Sequence, residues 1–225
     1  MSGMLAEIEV RVAFQPVLRV ADLSVFGYEA LFRGVADRGA FFAEAVRGSF
    51  ARELDREVCR CAAELFAGSG RGLLFVNLTP PTFLSPDGVS DAFRGLLPGR
   101  VVLEITEQAF SVAPGEMAEA AAWWRREGFL LAVDDVGSGQ SRVLALAEAV
   151  PDFVKVDRPL LVRALESRAG RSVLLHLVSL ARSLGARLVA EGVESGEELA
   201  LVRAAGFDLV QGYLLGPPGP LPGAG

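Results

Sequence analysis

The chain has 225 residues, 51% of them hydrophobic and 22% charged, with a formal net charge of -6. That is too apolar for a disordered segment and long enough for one sizeable core. The acidic balance disfavours binding to the backbone of a DNA or RNA polymer.

In chain order, strands are expected at 9–19, 25–32, 73–78, 101–106, 129–133, 153–156, 187–190 and 209–213, with amphipathic helices at 41–66, 115–127, 159–184 and 195–205. Eight strands with intervening helices match a (β/α)8 barrel of the TIM type; a doubly wound open sheet is the alternative. Only a short turn, 21–24, joins the first two strands, so the first should run antiparallel to the second. Uncharged runs fall short of a membrane span, and 172–181 reads as a buried helix face between Arg171 and Arg182. MSGMLAEIEV carries no basic-then-apolar leader, and it points to a free-standing, cytoplasmic protein with no membrane segment. Cys59 and Cys61 are too close for a stabilising mutual disulfide and too few to close a zinc site. The final GPPGPLPGAG reads as a frayed end or the stub of a linker.

Lys155, Asn77 and His176 are the sole lysine, asparagine and histidine of the chain. Where a compositional bias favours arginine, a surviving lysine suggests a position that needs a compact, orientable ammonium. A surviving asparagine likewise suggests a neutral amide ligand or donor. His176 lies between apolar residues on a helix and reads as structural. With one histidine, a Ser-His-Asp relay, a two-histidine zinc site and a HExxH motif have no support. Any chemistry must rest on carboxylates.

The strand ends carry those carboxylates: Glu29 at the end of the second strand, Asn77 at that of the third, Glu104 and Glu107 at that of the fourth and Asp134-Asp135 at that of the fifth. Lys155 and Asp157 stand at the end of the sixth, Glu191 at that of the seventh and Gln211 at that of the eighth. In a barrel these ends converge on one mouth, where active sites lie. Each residue alone is also what a helix cap, a turn or a solvated loop would supply. Together, so many like charges repel unless cations neutralise them, and oxygen ligands suit Mg²⁺ or Mn²⁺. The implied site is carboxylate-bridged, holds two metals and serves phosphoryl transfer or phosphodiester hydrolysis.

The motifs, in order, resemble the EAL domain family of bacterial cyclic di-GMP phosphodiesterases. The signature tripeptide stands as Glu29-Ala30-Leu31, followed by Arg33; NLTP, LEITE, DDVGSG, VPDFVKVDR, AEGVE and QGY follow at compatible spacing. The resemblance runs from Phe14 to Pro218 and implies an EAL phosphodiesterase domain over 1–218 with a Pro/Gly-rich tail at 219–225. It implies a modified TIM barrel whose first strand is antiparallel. It also implies Glu29, Asn77, Glu104 and Asp134 as ligands of one metal, Asp134 bridging to a second held by Asp135. Lys155 would sit beside the attacking water and the phosphate, and Glu191 would act as general base or second-metal partner. Gln15, Arg33, Asp157 and Gln211 would serve the substrate or the water, and Glu107 would steady the loop after the aspartate pair. The implied partners are cyclic di-GMP, a second copy in a homodimer, and a regulatory domain or protein; the implied product is linear pGpG. Val136, Gln140 and Arg142 depart from the family pattern DDFGTGYSSL, which bears on turnover and on dimer-coupled control. Pro217 stands where the family has arginine, and the segment after Arg33 is compact. The competing readings are a non-catalytic cyclic di-GMP receptor and an unrelated metal-dependent barrel hydrolase or interaction scaffold.

Overall fold

The computed structural model describes residues 9–35, 38–47, 50–69, 71–86, 88–106, 115–136 and 149–223. Eight strands close into one barrel in sequence order: β1 (Val12–Arg19), β2 (Val25–Phe32), β3 (Leu73–Asn77), β4 (Val101–Thr106), β5 (Leu130–Val136), β6 (Phe153–Val156), β7 (Arg187–Ala190) and β8 (Leu209–Val210). β1 is antiparallel to both neighbours, β2 and β8, and the other six pairings are parallel. The expected topology is therefore observed, and the open sheet is excluded.

Among the described residues the helices are α1 (Arg38–Arg47), α2 (Ala51–Ser69), α3 (Pro80–Leu84), α4 (Glu116–Arg126), α5 (Arg158–Glu166), α6 (Arg168–Ser183) and α7 (Gly196–Ala205). The single helix expected at 159–184 is two. Ser167 is extended and accepts from the Gly170 amide to cap α6, while Gly170 lies so close to α5 that a Cβ would stand 2.2 Å from the Arg163 carbonyl oxygen. The helix expected at 41–66 is likewise two, α1 ending at Arg47 and α2 starting at Ala51. The 172–181 stretch buries only Leu174, Leu177, Val178 and Ala181; His176 is on the exposed side, bonded at 2.7 Å to the Ser172 carbonyl. The tail is not frayed where it leaves the barrel: Gly219 pairs with Phe14, and Leu221 is buried.

The barrel interior is built in layers. Each strand turns one apolar residue inward at the lower level: Val17, Phe26, Phe75, Val102, Ala132, Phe153, Val189 and Leu209 form one cluster. Side chains two apart in a strand share a face. The next inward residue toward the mouth is therefore Asn77 after Phe75, Glu104 after Val102, Asp134 after Ala132, Lys155 after Phe153, Glu191 after Val189 and Gln211 after Leu209. On the reversed β1 the same step leads from Val17 back to Gln15, whose backbone is opposite Glu29. Phe26, Phe75 and Phe153 pack with ring centroids 5.3–6.4 Å apart, and the guanidinium groups of Arg19 and Arg187 lie 4.9 and 5.5 Å from the Phe26 ring. An aromatic floor thus supports a polar storey.

Candidate metal centre

Lys155 is the hub of that storey. Its ammonium, 1% exposed on the side chain, lies 2.7 Å from Glu104 Oε1 and 2.7 Å from Glu191 Oε1. Glu29 Oε2 and Asp134 Oδ2 are each 3.5 Å away. Asp134, Asp135 and Glu191 each offer an oxygen within 4.8 Å of the others. Asp134 and Asp135 lie within β5, where the pairing with β6 shifts between Val133 and Val136, so the strand does not stop before them as the sequence suggested. Asp135 has φ 59, a left-handed conformation that aspartate tolerates better than most residues, and its amide donates to Asp134 Oδ1 at 2.8 Å. This bulge turns two consecutive carboxylates toward one site.

Amides tie the rim to the first strand. Gln211 Nε2 donates to Glu29 Oε2 at 2.6 Å and to Gln15 Oε1 at 3.0 Å. Asn77 Nδ2 donates to Glu29 Oε1 at 3.0 Å, and Gln15 Nε2 donates to the Gly216 carbonyl at 3.0 Å. Behind Asn77, buried Asp55 of α2 accepts from the Thr79 amide at 2.9 Å and its hydroxyl at 2.6 Å, and that hydroxyl is 3.1 Å from Thr82. Burial raises the Asp55 carboxyl to about 6 despite those hydrogen bonds.

The electrostatics call for a cation. Four carboxylates (Glu29, Glu104, Asp134 and Glu191) surround a single ammonium, and Asp135 stands beside two of them. Burial pulls the Lys155 pKa down, but the carboxylates of Asp134, Glu104, Glu191 and Glu29 outweigh it and hold the ammonium well above the ordinary lysine range. Burial, reinforced by Glu29 and Asp134, pushes the Glu104 carboxyl well above the usual range against the pull of Lys155, and burial does the same to Glu191. Both oxygens of Glu104, the Lys155 Nζ and Gln211 Oε1 are buried without a hydrogen bond, the Lys155 contact at 2.7 Å being an ion pair. A buried carboxylate oxygen in that condition needs a proton or a cation. Hard oxygen donors of this kind fit a divalent ion such as Mg²⁺, Mn²⁺ or Ca²⁺.

Two further predicted site residues make contacts at the ends of β6 and β2. Asp157 caps α5 by accepting from the Arg158 amide at 2.8 Å. Arg33 donates to the Phe32 carbonyl at 3.0 Å. Glu107, Gln140 and Arg142 lie outside the described residues. Sequence reasoning passed over Asp55, Arg158 and Glu198. For Glu198 a signal existed, the Ser195-x-x-Glu198 spacing of a capping box, which the structure shows formed.

The EAL domain family model matches residues 2–218, and the chain belongs to this family. NbdA of Pseudomonas aeruginosa, a cyclic di-GMP phosphodiesterase, is 30% identical over 234 residues, covering 96% of this chain and 30% of its own length. PdeN of Escherichia coli, a probable cyclic di-GMP phosphodiesterase, is 32% identical over 226 residues, covering 93% of this chain and 43% of its own. A structure of Klebsiella pneumoniae BlrP1 with manganese and cyclic di-GMP aligns with a TM-score of 0.81 at 29% identity, covering 91% of this chain and 55% of that one. The chain spans only 28–30% of the length of the first curated relatives it matches.

Proposed function

We propose that this chain is a phosphodiesterase that opens cyclic di-GMP to linear pGpG with the help of Mg²⁺ or Mn²⁺, two ions sharing Asp134. The observation that carries this reading is the single ammonium, Lys155, set within 3.5 Å of carboxylates from four separate strand ends. Membership of the EAL family and relatives named for this activity support it.

Glu29, Asn77, Glu104 and Asp134 would hold one ion, and Asp134 and Asp135 the other. Bound there, divalent ions supply Lewis acidity toward water and a phosphate oxygen and offset the negative charge of the rim. The chain's own groups do the rest. Glu191 takes a proton from the attacking water as the water oxygen bonds to phosphorus, and the P–O bond opposite breaks, the leaving oxygen taking a proton from solvent. The Lys155 ammonium donates to the water or phosphate oxygen and orients it. Gln211 and Asn77 fix the Glu29 carboxylate, while Gln15, Arg33 and Asp157 border the substrate. The reading includes a cytoplasmic homodimer under a regulatory partner, as the family resemblance implies. Among the described residues no helix is long and apolar enough to cross a membrane.

A receptor that binds the nucleotide without turnover is the second reading, favoured by the departures Val136, Gln140 and Arg142. Val136 is buried and paired with Val156, directly beside the aspartate pair. Incubation of purified protein with cyclic di-GMP and Mn²⁺, followed by chromatography, separates them. Appearance of pGpG supports the enzyme; micromolar binding without product at high protein concentration supports the receptor, and no binding removes both.

A further inference from the structure

Arg158 and Glu198 lie outside the ligand set, yet they stand in the first turns of α5 and α7, the helices that follow the strands leading to Lys155 and Glu191. Glu198, 3% exposed on α7, accepts from the backbone amides of Glu194 at 2.6 Å and Ser195 at 3.1 Å. It also receives Arg158 Nε at 3.1 Å and Nη2 at 3.0 Å, and the same Nη2 lies 3.0 Å from Glu194 Oε2. Arg158 follows the end of β6, three residues after Lys155. Its stem crosses Gly192, the residue after Glu191: Gly192 has φ +63, and a Cβ there would stand 3.0 Å from Arg158 Cβ. The stretch from Glu191 to Ser195 is thus gripped from the β6 side by an arginine and from the α7 side by a buried carboxylate. On its other side the Val193 amide donates to the Gln211 carbonyl at 3.0 Å.

We propose that Arg158 and Glu198 act as a pair of positioning residues that set the Glu191 carboxylate against Lys155 and the metal oxygens, so that they govern metal affinity without touching the metal. This rests on the metal-centre reading above. The bond from the Glu191 amide to the Val156 carbonyl fixes the Glu191 backbone beside β6, and the direction of its carboxylate, 2.7 Å from Lys155, depends further on how the chain leaves the strand at Gly192, against the Arg158 stem. Past that bond, the forked arginine is a side-chain link from the β6 end to the β7 loop, and its planar geometry is what a lysine or methionine cannot reproduce.

The test is Mn²⁺ titration of the full chain by calorimetry, without nucleotide, in Arg158→Met, Glu198→Gln and the double variant, with circular dichroism confirming the fold. Each single variant is expected to weaken Mn²⁺ binding roughly tenfold, as loss of a partner that orients a group at a metal centre does. The double variant should be no weaker than the worse single one, because both remove the same constraint. Where turnover is measurable, the acidic limb of its pH profile should move in the single variants. Wild-type Mn²⁺ affinity in folded Arg158→Met and Glu198→Gln would overturn the inference while leaving the metal centre standing. Absence of Mn²⁺ binding by the unaltered chain would overturn both. Should Glu198→Gln fail to fold, Arg158→Lys, which keeps the charge and loses the fork, decides by the same measurement.

Discussion

Lys155 and Glu104 approach to 2.7 Å in the barrel interior although β5 separates their strands in the sheet. The contact spans the inside of the barrel, so it depends on closure and not on neighbouring-strand pairing. Lys155→Met should leave Glu104 and Glu191 without their cation and cost on the order of 3–5 kcal/mol in metal-free buffer. Urea unfolding with and without Mn²⁺ checks this: the ion should recover part of the loss, and an unchanged midpoint in EDTA would contradict the charge argument. Lys155→Arg should fold yet lose on the order of 10²-fold or more in hydrolysis, because a planar guanidinium does not fit the ammonium's place.

Asp134 serves both halves of the proposed ligand set. Asp134→Asn is expected to lower hydrolysis by on the order of 10³-fold and to weaken Mn²⁺ binding, whereas Glu29→Ala should weaken binding of one ion. Calorimetric stoichiometry distinguishes the two, and wild-type affinity in both would remove the ligand assignment.

Asp55 makes a prediction about pH. Its folded carboxyl titrates near 6, above the ordinary aspartate value of about 3.9, so the folded state binds the proton more tightly than the unfolded one. Its contribution is most favourable below pH 4, declines as pH rises from 4 to 6, and then stays about 3 kcal/mol worse. Asp55→Asn should remove that decline. Denaturant unfolding of both proteins at pH 4.5 and 7 should show the variant gaining relative stability at the higher pH.

The aromatic floor should matter to stability and not to metal. Phe153→Ala removes a ring packed 5.3 Å from Phe75 and 5.9 Å from Phe26, at a cost of about 3–5 kcal/mol. Melting should register it while Mn²⁺ affinity in the folded protein stays within twofold.

The barrel was readable because its strands alternate in step: Val25–Phe32, Val101–Thr106, Phe153–Val156 and Arg187–Ala190 have the expected bounds. The rim was readable because each polar residue ends such a run. The helix breaks were not, since the apolar period continues through Ser167, and what interrupts it is the close approach of α5 at Gly170. Asp55 was invisible for a related reason: an acid on a helix reads as solvated, and only the packing of α2 against residues after β3 buries it. The β5 bulge likewise arises from register against β6.

The bonds from Gln211 to Glu29 and to Gln15 join residues 182 and 196 positions apart. The rim can therefore be completed only after the last strand has docked beside the first, the slowest kind of encounter for a folding chain. A nascent polypeptide still lacking its final segment would carry most of the acidic groups but no finished cradle, so ion capture should report late in refolding, as the step that certifies a closed ring.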